Sequence, residues 1–117
     1  MLENIKLILG LEKNDYDNLI IFYIDKVTKY YLSGHNPECP YISPLFGNFI
    51  SFPPVYIHVG ENEILQDDST RLYHALLSAN IYSKLDIYPG MWHVFQLAPI
   101  KQARESIIKT AHFITKL

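Results

Sequence analysis

Two short stretches of the sequence hold side chains that can move protons. Residues 60–69 read Gly-Glu-Asn-Glu-Ile-Leu-Gln-Asp-Asp-Ser, and residues 88–95 read Tyr-Pro-Gly-Met-Trp-His-Val-Phe. The first is rich in carboxylates and the second carries His93. A carboxylate bonded to one ring nitrogen of an imidazole fixes its tautomer and stabilises its protonated form, which leaves the other nitrogen to exchange a proton with a third group. That chemistry needs the two stretches side by side. Strands that are sheet neighbours, about 5 Å apart, would place them so.

The flanking patterns supply such strands. Residues 55–59 (VYIHV) are β-branched and aromatic, follow the Pro53-Pro54 breaker and stop at Gly60, which predicts a short strand. Residues 84–88 (KLDIY) alternate and stop at Pro89-Gly90, predicting a second. Between them a helix is expected over 68–78, with Asp67 or Asp68 as its N-cap and Leu72, Ala75, Leu76 and Ala79 on its inner face. A last helix is expected over 99–116, opened by Pro99, with an apolar stripe at 103, 107, 108, 111 and 114. Upstream, apolar residues at 19, 20, 23, 24, 27, 30 and 31 predict an amphipathic helix over 15–32, capped by Asn14 or Asp15 and stopped at Gly34. Residues 35–54 hold five prolines and several aromatics, the pattern of an ordered loop. Helix and strand alternation implies a parallel pair joined by a crossover, with functional groups beyond the strands' carboxyl ends. Two parallel strands make a narrow sheet, so completion by oligomerisation or by another chain is expected.

Bulk properties narrow the function. The 117 residues are 49% hydrophobic with a net charge of −2, enough for a core and without the basic run that nucleic acid requires. Cys39 is the sole cysteine, so no intrachain disulfide forms, which suits the cytoplasm. The apolar patch in residues 1–10 is too short to span a membrane, and it carries Glu3 and no small-residue cleavage site, unlike a signal peptide. His35, His58, His74 and His112 share no metal-ligand spacing, and ordinary surface or core roles are expected for them. No cofactor is expected.

From about Val27 onward the chain resembles the C-terminal portion of the hormone-sensitive-lipase-like esterases. The matching pieces, in order, are Tyr31-Leu32-Ser33-Gly34, Ile42-Ser43-Pro44-Leu45-Phe46, Pro53-Pro54-Val55, Val59-Gly60-Glu61, Asp67-Asp68-Ser69 and the stretch Tyr88 to Phe95 around His93. Residues 1–26 diverge, and residues 1–117 are expected to form a single partial hydrolase domain. The resemblance implies an α/β fold of short parallel strands with flanking helices. It also implies a triad in the order serine, acid, histidine. The family's Asp-Pro-Leu-x-Asp acid motif falls on Glu63-Ile64-Leu65-Gln66-Asp67, which makes Glu63 the acid and His93 the base. Asp67 or Asp68 is the fallback acid, although a helix-capping role suits them better. Met91 and Trp92 would line an acyl pocket or simply pack, and Phe46, Phe49 and Phe52 would mark a former domain contact.

The family's nucleophile elbow, Gly-x-Ser-x-Gly, is not in this sequence: no serine has glycine at both flanking second positions. The His-Gly-Gly-Gly-type oxyanion loop is missing too. The expectation is a truncated or split esterase or lipase, inactive alone. Its partner would be a complementary N-terminal half or, in a non-catalytic alternative, further copies of itself.

Overall fold

The computed structural model describes residues 25–117. The expected N-terminal patch, the cap at Asn14 or Asp15 and the first turns of the 15–32 helix lie outside the described residues. The chain divides into two compact units between Ser43 and Pro44.

In the first unit, residues 25–32 are helical (α1). Lys29 pairs with Asp25 at 2.7 Å, one turn away. Ser33 (φ 46°) and Gly34 (φ 81°) turn the chain out of the helix, and Gly34 takes the left-handed region without a Cβ penalty. Beyond it, Glu38 N–H donates to Asn36 Oδ1 at 3.0 Å, and the N–H groups of Ile42 and Ser43 both donate to the Cys39 carbonyl at 2.8 Å. The proline-rich stretch is thus an ordered run of turns.

The second unit contains the site. A 3-10 turn, Pro44–Phe46, leads through residues 47–54 to strand β1, Val55–Gly60. Helix α2, Gln66–Ser78, crosses to strand β2, Ser83–Tyr88. A second 3-10 turn, Phe95–Leu97, precedes helix α3, Lys101–Ile114. The strands pair in parallel, Val55 opposite Ser83 through to Gly60 opposite Tyr88. Both end together, and the two loops of interest leave the sheet at the same level.

Two predicted helix starts are corrected. Neither Asp67 nor Asp68 caps α2; Leu65 stands at the cap without a side-chain bond. A turn closed by Gln66 N–H on the Glu63 carbonyl at 3.1 Å already bends the chain into the helix. Both aspartates fall in the first turn, where negative charge still favours the helix dipole. Pro99 does not open α3 either: Ile100 is extended at its cap (φ −120°, ψ 160°), as the bend that closes Ile100 N–H onto the Ala98 carbonyl requires.

Burial also corrects one face. On α2 the predicted inner residues hold, with Leu76 only 1% exposed. On α3 the predicted stripe holds at Ala103 alone: Ile107, Ile108, Ala111 and Ile114 are exposed, and the inward line is Ala103, Ser106, Thr110 and Phe113. Ser106 can face inward because its hydroxyl donates to the Ala103 carbonyl at 2.7 Å, so no polar group is stranded. Phe113 packs on Tyr82 and Tyr56, with ring centroids 5.7 and 5.1 Å away.

Candidate functional site

β1 and β2 stop where their sequences change. Tyr88-Pro89-Gly90-Met91 makes a turn closed by Met91 N–H on the Tyr88 carbonyl at 3.2 Å. Proline in the second place and Gly90 at φ 67° in the third fit the type II turn. On the neighbouring loop Glu61 N–H donates to the Tyr88 carbonyl at 3.0 Å and Asn62 N–H to the Met91 carbonyl at 2.9 Å. Gly60 is required here. A Cβ at this position would stand 2.4 Å from the Met91 carbonyl oxygen, so any other residue would force the loops apart.

These ties bring Glu63 and His93 together. Glu63 Oε1 lies 2.7 Å from His93 Nδ1, while Gly60 N–H donates to Oε2 of the same carboxylate at 3.1 Å. The Glu63 side chain is 10% exposed and that of His93 62% exposed. A nearly buried carboxylate that holds both a backbone N–H and an imidazole is a fixed point, and the exposed ring is oriented from it. With Nδ1 committed, Nε2 is the nitrogen that can serve a group arriving from solvent or from another segment of protein. Asp67 and Asp68 do not join this pair; Asp68 binds Arg71 at 3.2 Å on its own helix.

The backbone after His93 is bent in an unusual way. Val94 adopts φ 52°, ψ 35°, a left-handed conformation that costs a β-branched residue about 1–3 kcal/mol. What holds it there is Phe95, fully buried among Tyr88 and Ala103, with Met91, Trp92 and Ile100 packed around them. Met91 and Trp92 are therefore packing residues within this chain. The core beneath the loop anchors the far side of the segment that carries His93. An open groove beside α3, lined by Pro99, Ile100, Ile107 and Ile108 among others, contains neither Glu63 nor His93.

A second polar cluster lies between the sheet and α3. Tyr56 OH donates to Asp86 Oδ2 at 2.6 Å, Lys109 Nζ reaches the same oxygen at 2.9 Å, and Lys84 Nζ donates to Tyr56 OH at 3.0 Å. Burial alone would raise the Asp86 pKa, but the hydrogen bonds from Tyr56 and Lys109 and the two lysine charges hold it below the ordinary carboxylate value. Burial, and then the bond to Asp86, pushes the Tyr56 hydroxyl above the usual phenol range. Burial lowers the pKa of His58, whose ring stands edge-on to Tyr56 with centroids 4.1 Å apart. Among the described residues, no group of three histidines, cysteines or acids is placed to hold a metal. Nor is any of their helices long and apolar enough to cross a membrane.

Sequence reasoning missed Glu61, whose Oε2 accepts the Gly90 N–H at 2.8 Å, and the bent Val94. A Pro-Gly turn facing an acidic loop does signal an N–H in need of an acceptor. For Val94 no comparable signal exists, because β-branched residues rarely adopt this conformation.

Comparison with known proteins agrees with this architecture. A family model described as alpha/beta hydrolase fold matches residues 10–97. The chain is 36% identical over 92 residues to an esterase of Acinetobacter venetianus, a match that covers 76% of this chain and 30% of that one. It is likewise 36% identical over 70 residues to an acetyl-hydrolase of Streptomyces hygroscopicus, over 60% of this chain and 23% of the relative. A solved esterase from the bacterial hormone-sensitive lipase family superposes with a TM-score of 0.70 at 32% identity, over 75% of this chain and 30% of that structure. The chain belongs to the alpha/beta hydrolase fold family, in its hormone-sensitive-lipase-like branch. It spans 30% or less of the length of these relatives.

Proposed function

We propose that this chain supplies the acid and the base of a carboxylic ester hydrolase, within one partial hydrolase domain. Glu63 is the acid and His93 the base, and the observation that carries the assignment is the 2.7 Å contact between them at the matched ends of two parallel strands. His93 Nε2 takes the proton of a serine hydroxyl as that oxygen attacks the ester carbonyl, and returns it to the departing alcohol. Glu63 holds the ring and stabilises the imidazolium between those events. The serine and the oxyanion donors belong to protein outside these 117 residues, since neither motif is in the sequence. Without a nucleophile no acyl intermediate forms, so the chain alone is inert. Esters of small acyl groups are the proposed substrates, a reading supported by relatives named esterase and acetyl-hydrolase. No metal or organic cofactor enters this chemistry, and the single cysteine suits a cytoplasmic setting.

The test is complementation. The purified chain is mixed or co-expressed with a hydrolase segment that carries Gly-x-Ser-x-Gly and the oxyanion loop, and hydrolysis of p-nitrophenyl acetate and butyrate is followed. Turnover should appear only in the mixture and fall by roughly 10³-fold or more with His93→Ala. Turnover in the mixture that is indifferent to His93 would refute the assignment.

A second reading rests on the sheet, whose two strands leave both outer edges unpaired within the described residues. Open edges invite pairing with another copy, which would make the chain a non-catalytic oligomeric module. A monodisperse monomer by light scattering would exclude it.

A further inference from the structure

We infer that Glu61 is a positioning residue for His93. It acts through the Pro89-Gly90 turn, so that two carboxylates, not one, fix the imidazole. The inference rests on the reading of Glu63 and His93 as acid and base for its functional meaning, though not for its geometry.

Past Gly60 and Tyr88 the strand ladder has ended, and nothing in a regular sheet would keep the two loops together. Four ties replace the ladder. Two are backbone bonds, Glu61 N–H to the Tyr88 carbonyl and Asn62 N–H to the Met91 carbonyl. The other two are made by carboxylates two residues apart: Glu61 Oε2 takes the Gly90 N–H at 2.8 Å, and Glu63 Oε1 takes the His93 ring at 2.7 Å. Glu61 thus binds the start of the segment whose far end Glu63 binds. Its backbone and side chain grip both sides of one turn, at Tyr88 and at Gly90. The closeness of Met91 to Gly60, where a Cβ would not fit, depends on that turn lying flat against the first loop.

Among the described residues, Glu61 is the acceptor of the Gly90 N–H. At φ 67° the Gly90 N–H points away from the turn's own closing bond, which Met91 makes. Without the Glu61 side chain the segment between Tyr88 and the Phe95 anchor keeps the Asn62–Met91 bond but loses the tie at Gly90, the residue that turns it back toward the first loop. The His93 ring would then sample positions beyond the reach of Glu63. A hydrogen bond to a carboxylate is stronger than one to a neutral acceptor, and reach decides as much as charge. Glutamine keeps an acceptor at the same distance, whereas aspartate keeps the charge and falls one methylene short.

The measurement is made on the full 117-residue chain labelled with 15N, from the ring nitrogen shifts of neutral His93. In the wild type, the Nδ1–H tautomer should dominate because Glu63 accepts that proton. Glu61→Ala and Glu61→Asp should both shift His93 toward the Nε2–H tautomer that an unrestrained imidazole prefers, at unchanged far-ultraviolet circular dichroism. Glu61→Gln should restore the wild-type ring spectrum. A merely stabilising role would lower the unfolding midpoint and leave the tautomer alone. If Glu61→Ala fails to fold, the milder Glu61→Asp exchange carries the test. A wild-type tautomer in a folded Glu61→Asp or Glu61→Ala chain overturns the inference. Because no turnover is measured, failure here leaves the acid and base assignment standing, and failure of complementation leaves this result standing.

Discussion

The two faces of α3 meet different surroundings. Where its first turns meet the His93 loop, Ala103 is 2% exposed and Phe95 fully buried, and the backbone around them is tied bond by bond. On its outer face Ile107, Ile108 and Ile114 stand 59%, 46% and 62% exposed. The inner region makes its core, turns and ties within this chain, with the buried Tyr88 hydroxyl left without a hydrogen-bond partner among the described residues. The outer face has the character of a surface made to be covered, since isoleucine carries no polar group that benefits from water. The residues that bring Glu63 and His93 together are local in sequence, from 60 to 103, and that locality explains how their contact is made in a chain spanning 30% of its relative.

If that contrast is right, substitutions should divide sharply by region. The largest effect is expected at Phe95. Phe95→Ala leaves a void under the loop and should cost about 3–5 kcal/mol, read as a lower urea midpoint, with release of the strained Val94. Gly60→Ala comes next. The added methyl must displace the Met91 carbonyl, at roughly 1–3 kcal/mol, and His93 should lose its fixed tautomer along with stability. A large stability loss with an unchanged His93 ring would show that the loop is less tightly coupled than the contacts indicate.

Asp86 should behave as a stabilising but non-functional charge. Its folded pKa lies below the unfolded value, held there against burial by Tyr56 and Lys109. Stability from this group is therefore fully present above the unfolded carboxylate pKa and disappears as pH falls through the lower folded value. Asp86→Asn should cost about 1 kcal/mol at neutral pH. It should also flatten the loss of stability on acidification, measured by thermal melts from neutral to strongly acidic buffer. The smallest effect belongs to the outer face: Ile107→Lys should change folding of the chain by less than about 0.5 kcal/mol. Yet the same change should weaken association with a complementary segment, if that segment covers the face.

Much of this was legible in the sequence for identifiable reasons. The strands were, because β-branched runs end at Gly60 and at Pro89-Gly90. The inner face of α2 was also, because Leu72, Ala75, Leu76 and Ala79 recur at helical spacing. The meeting of Glu63 and His93 needed the parallel register as well, which the spacing of motifs implied but did not show. The α3 face was misread because its most apolar stripe points outward, while the inward line relies on Ser106 and Thr110, whose hydroxyls bond to carbonyls within the helix. Periodicity ranks residues by hydrophobicity and cannot see such internal bonding. The caps were misread because turns, not side chains, start both helices. Glu61 and the Tyr56–Asp86–Lys109 cluster depend on contacts 23 to 30 residues apart, which no local pattern encodes.

As proposed, this polypeptide brings a proton relay to an ester hydrolase whose attacking oxygen comes from elsewhere. Treating the isolated chain with a fluorophosphonate probe, followed by intact-mass and peptide mass spectrometry, tests that proposal most directly. None of the seven serines here should be modified above a heat-denatured control, and the label should appear only on an added Gly-x-Ser-x-Gly segment. Stoichiometric labelling of Ser33, Ser43, Ser51, Ser69, Ser78, Ser83 or Ser106 that disappears in His93→Ala would contradict the account.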